Sequence, residues 1–144
     1  MIADVRPARR GLALLVLAAG CGLPASLAHR VARHTYTGRC DAVLPAAREA
    51  LLDRGYALRG GRDDVVETEW RRREPSAKGS AIPTRDRCVA RLLAAGAVSC
   101  ALRVTRYSDG VWPSAERDLD VEWAVLRQVN PASARRIEAG GASP

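Results

Sequence analysis

Two stretches in the second half of the chain constrain its fold more than any other feature. Cys88, Ala90 and Leu92 alternate with Arg87, Val89 and Arg91; after Ala94-Ala95-Gly96-Ala97, Val98, Cys100, Leu102 and Val104 alternate with Ser99, Ala101, Arg103 and Thr105. A period of two marks strands that bury one face and wet the other, and the short Gly-containing connection makes them a hairpin. The even-numbered residues form the core face. An isolated hairpin is not stable in water, so the pattern predicts a larger antiparallel sheet with a covering layer on its even side.

The flanking segments supply that layer. Between Cys40 and Arg54, Val43, Leu44, Ala47, Leu51 and Leu52 recur at helical spacing, with Asp41 placed to cap the start and Gly55 to stop the end. Tyr56 to Arg59 then reads as a strand and Gly60 to Asp64 as a tight turn. Val65 to Arg71 reads as the return strand, with Val66, Thr68 and Trp70 inward, which sets Trp70 against Leu44, Leu51 and Leu52. Glu74 to Thr84, with two prolines and small polar residues, reads as a loop. Ser114 is placed to cap a segment in which Leu119, Trp123, Leu126 and Val129 recur at helical spacing. Asp118 to Trp123 also alternates with period two, but the continuation Ala124 to Gln128 favours helix. Asn130-Pro131 begins a short second helix through Ile137 as cap and first position. The prediction is one α+β domain over residues 34–139. It has a mostly antiparallel sheet of about five strands, one helix after the first strand, and C-terminal helices packed on one face. Residues 140–144 read as a flexible tail.

Composition agrees with a folded unit: 47% of the 144 residues are hydrophobic and 27% charged, which excludes both a wholly disordered chain and a polytopic membrane protein. The N-terminus is different in character. Residues 1–10, MIADVRPARR, are basic and are followed by the apolar run Gly11 to Gly20, too short to span a bilayer and suited to a secretory signal. Ala18-Ala19-Gly20-Cys21 resembles a bacterial lipobox. That resemblance implies a signal peptide over 1–20, acyl chains on Cys21, and a protein of the cell envelope anchored by lipid to the outer membrane, facing the periplasm or the cell surface. Gly22 after the lipidated position is the residue that points to the outer membrane. Residues 21–33 read as a tether.

A second resemblance rests on Asp41 to Tyr56, then Asp63-Asp64 and Glu67-Thr68-Glu69-Trp70. This run of helix, Gly-Tyr, strand, turn and strand ending in Thr-x-Trp looks like small BamC-like envelope lipoprotein domains, over about 30 residues. It implies a helix-grip-like α+β fold and a binding or scaffolding role toward another envelope protein.

Side chains that could carry chemistry are few. Nucleophile elbows, metalloprotease helices and phosphate-cradling loops do not occur, so the expectation is a protein without enzymatic activity or cofactor. His29 and His34, five apart, do not make a metal pair and read as solvated. Asp118, Asp120 and Glu122 read as a solvated polar face, and Arg71-Arg72-Arg73 as a solvated strand end. The formal charge of +7 is carried by arginines with Lys78 as the single lysine, and it reads as scattered, without a nucleic-acid partner. An arginine-rich module that binds polyanionic envelope polymers is the alternative function, and an enzyme with a dispersed site a further one. With Cys21 assigned to lipid, Cys40, Cys88 and Cys100 remain for an oxidising compartment. Cys88 and Cys100 share the even face, so a cross-strand disulfide between them is feasible; Cys40 stands as an alternative partner to either, or as a free thiol.

Overall fold

A computed structural model describes residues 22–73 and 84–140. The expected signal peptide 1–20, Cys21, nearly all of the expected loop and residues 141–144 lie outside the described residues. In chain order the elements are α1 (Ala25–Ala32), β1 (Tyr36–Thr37), α2 (Cys40–Asp53), β2 (Leu58–Arg62), β3 (Val65–Thr68), β4 (Arg71–Arg73), β5 (Thr84–Ala94), β6 (Ser99–Asp109), β7 (Ser114–Arg117), α3 (Leu119–Val129) and α4 (Pro131–Glu138). All strand pairs are antiparallel, in the order β1-β6-β5-β3-β2, with β7 on the same edge of β6 as β1 and β4 on the same edge of β5 as β3. The fold is α+β, with helices on one face of a seven-stranded sheet.

Gly55 stops α2 as its position predicts. It takes φ +83°, its N–H donates to Leu52 O and the Tyr56 N–H to Leu51 O, which satisfies the last carbonyls of the helix. Val43, Ala47 and Leu51 of α2 then meet Val121, Val125 and Leu126 of α3 and Ala90, Leu102 and Val104 of the sheet, all buried. At about 1.5–3 kcal/mol per large aliphatic side chain, this layer is the main favourable contribution to the fold. Asn130 caps α4, its Oδ1 accepting from the Ser133 N–H at 3.1 Å, and Pro131 follows at the first position.

Four local expectations are corrected. The capping residue of α3 is Asp118, whose Oδ1 accepts from the Val121 N–H at 3.1 Å, while Ser114 begins the strand β7. Residues 25–32 of the expected tether form α1, which packs on α3 and α4 and buries Val31. The main hairpin keeps its even core face, but Cys88 pairs with Arg106, six positions beyond Cys100. Ala94 is still in the strand and the turn lies at 95–98, so the register slips by an even number and no side chain changes face.

The fourth correction concerns Trp70. Glu67 pairs with Val89, but Arg71 pairs with Asp86, so three residues on the β3–β4 side, Thr68 to Trp70, oppose two on β5, Arg87 and Cys88. This is a bulge, and the one extra residue reverses which side chains point inward beyond it. The Thr68 hydroxyl fills the gap by accepting from the Cys88 N–H at 2.9 Å. Arg71 therefore takes the inward place, and Trp70 goes to the open face, 37% exposed.

An arginine-lined open face of the sheet

Polar groups under the helices are matched to one another. Asp86, with no exposed surface, receives Arg71 Nε at 2.8 Å and the Tyr56 hydroxyl at 3.1 Å, with Arg73 Nε at 3.6 Å. Arg71 also lies 3.7 Å from the Tyr56 ring centroid and donates to Arg54 O at the end of α2. The run Arg71-Arg72-Arg73 is thus divided: Arg71 and Arg73 serve Asp86, and Arg72 stays exposed.

Glu122, expected at a solvated face, is buried and fills a gap in the sheet. Between β1 and β7, residues 101–104 of β6 have no strand partner on that edge among the described residues. Val104 N–H donates to Glu122 Oε1 at 2.9 Å, and Val104 O accepts from the Asp118 N–H at 2.8 Å. Arg117 holds both Glu122 oxygens, at 2.8 and 2.9 Å. Burial raises the Glu122 carboxyl above its ordinary range, and Arg117 and the Val104 amide oppose that rise. Asp120 is exposed as expected.

The remaining candidate residues are structural as well. His34 is buried, edge-on to Tyr36 with ring centroids 4.7 Å apart, and burial lowers its pKa. Only His29 of the two is exposed. Cys100 is bonded to Cys40, with Cα atoms 6.0 Å apart, because β1 brings the start of α2 to the Cys100 end of β6. The expected Cys88–Cys100 bond is therefore corrected: Cys88, six positions out of register, is a buried free thiol, and burial pushes its pKa up, which disfavours the nucleophilic thiolate. No group of three His, Cys, Asp or Glu among the described residues is arranged to hold a metal ion.

The other face of the sheet carries no helix among the described residues. Register places Arg62, Arg72, Arg85, Arg87, Arg91 and Arg103 there, against the carboxylates of Glu67, Glu69 and Asp109. Trp70 and Tyr107 stand among them: the Arg87 guanidinium lies 5.2 Å from the Trp70 ring centroid and 5.1 Å from that of Tyr107, and Arg85 lies 5.5 Å from Trp70. Arg85 also pairs with Asp109. Val65 and Val89 between the arginines are buried, the arrangement expected when arginine stems lie along the sheet and their heads reach water. The charge that reads as scattered along the chain is gathered in space. Its signal in the sequence is the set of odd positions 85, 87, 91 and 103, which alternate with the core residues.

No protein-family model matches this chain, and no curated protein matches it.

Proposed function

We propose that the protein is a non-enzymatic, lipid-anchored envelope module that holds a polyanionic partner on the open face of its sheet. The observation that carries this reading is the ratio on that face, six arginines to three carboxylates around two aromatic rings. Neighbouring strands are about 4.8 Å apart and alternate residues about 7 Å apart, both inside the Debye length of about 8 Å at physiological salt, so the potentials of these cations add. Catalysis finds little support, because the buried carboxylates are each held by arginine and Cys88 is held as a thiol. The anchor rests on the Ala18-Ala19-Gly20-Cys21 pattern. Residues 22–24 separate Cys21 from α1, a reach of about 10 Å, so the module sits close to the bilayer. Because α1 packs within the helical layer, the arginine face is on the opposite side of the domain.

Dextran sulfate binding by the detergent-solubilised protein tests the reading. Affinity is expected to fall steeply with salt, and the triple variant R85E/R91E/R103E to bind at least tenfold more weakly with an unchanged melting temperature, since the one ion pair it breaks is exposed. The control R48E/R127E/R135E, on exposed helix positions, is expected to bind as the parent does. Equal losses in both variants contradict a dedicated face. A protein partner with an acidic surface is the second reading, favoured by Val111 and Trp112, which are 57% and 86% exposed. Under that reading Trp112→Ala weakens capture of the partner and leaves dextran sulfate binding intact.

A further inference from the structure

The open face is not uniform. At the β4 end a cleft of about 460 Å³ is lined by Trp70, Tyr107, Ser108, Asp109, Pro113 and Ser114, within the 300–1,000 Å³ typical of sites for small organic ligands. We infer that this cleft is a subsite for one acidic sugar unit of a polysaccharide, an inference that rests on the polyanion reading above. Three features meet there. Two aromatic rings offer apolar faces on which the C–H side of a pyranose can stack. The Asp109 carboxylate can accept hydrogen bonds from sugar hydroxyls. Arg85 and Arg87 stand beside the rings with donors for a carboxylate or sulfate.

The arginines are held in place in advance. Arg87 lies against both rings, and its Nε is buried without a hydrogen-bond partner among the described residues. Arg85 is fixed by Trp70 on one side and by Asp109 on the other. Less rotamer freedom is therefore lost when an anion arrives. Asp109 also decides between occupants. A nucleic-acid strand could stack bases on the same rings, but its phosphates would meet that carboxylate, whereas sugar hydroxyls need an acceptor there.

Calorimetric titration of the full-length protein in detergent with trigalacturonate, the neutral maltotriose, thymidylate oligomers and polyphosphate tests the subsite. Trigalacturonate is expected to bind at least tenfold more tightly than maltotriose. Trp70→Ala and Trp70→Leu are each expected to weaken it at least tenfold, while R48E/R127E/R135E, on exposed helix positions away from the face, changes it less than threefold. Trp70 is partly exposed and outside the core, so both variants should melt within a few degrees of the parent. Thymidylate binding as tight as trigalacturonate and equally dependent on Trp70 overturns the inference in favour of a base-stacking site. Trigalacturonate binding that is no tighter than maltotriose, or insensitive to Trp70, overturns the subsite; if polyphosphate still binds and R85E/R91E/R103E abolishes it, the wider reading survives. Failure of every anion overturns both.

Discussion

Replacing Cys40 and Cys100 together by serine is expected to destabilise the domain by about 4 kcal/mol. The bond closes a loop of 60 residues, long enough for a large loss of unfolded-chain entropy, and it ties β1 and the start of α2 to the end of β6. Since a small domain has roughly 5–15 kcal/mol in all, much of its stability would go. Denaturant titration of oxidised protein, reduced protein and the double variant measures the difference. Reduced parent and double variant should share a lowered midpoint, and Cys88→Ala, which breaks no bond, should keep the disulfide contribution. A midpoint insensitive to reductant, or peptides joining Cys88 to Cys100, would contradict the pairing.

The second large effect is expected at Asp86. Asp86→Ala removes the partner of Arg71 and of the Tyr56 hydroxyl from a place with no exposed surface, and such removal of one member of a buried pair costs about 3–5 kcal/mol. The lower end, about 3 kcal/mol, is expected because the Arg71 side chain keeps 30% of its surface in water. Asp86→Asn retains an acceptor for Tyr56 and should cost less than Asp86→Ala. Chemical denaturation of the two variants checks the order; equal stability of parent and Asp86→Ala would show that the cluster holds nothing together.

These two effects also mark where sequence reading ends. Periodicity disclosed α2, the hairpin faces and Gly55 as a helix stop, because each depends on residues within a few positions of one another. The bulge at Glu69-Trp70 depends instead on how two distant strands count against each other, and the alternation of Val66, Thr68 and Trp70 runs through it without a sign. The cysteine pairing failed for a related reason: parity fixes a face, but it leaves the register open to every even slip, and a six-residue slip separates Cys88 from Cys100. Glu122 reads as a surface charge in the sequence, since a gap along β6 is visible only once β1 and β7 are placed. The candidate site was half legible. Arg85, Arg87, Arg91 and Arg103 alternate with core residues, but Trp70 joins them only through the bulge and Arg72 only through its pairing with Arg85.

Arginine footprinting tests the central claim most directly. The intact protein is treated with a guanidinium-selective dicarbonyl reagent, with and without dextran sulfate at low salt, and modified peptides are quantified by mass spectrometry. Bound polymer is expected to protect Arg72, Arg85, Arg91 and Arg103, while Arg33, Arg48 and Arg127, exposed outside that face, react as before. Protection spread evenly over all seven, or concentrated on the helix positions, would contradict the assignment of the open sheet face as the binding surface.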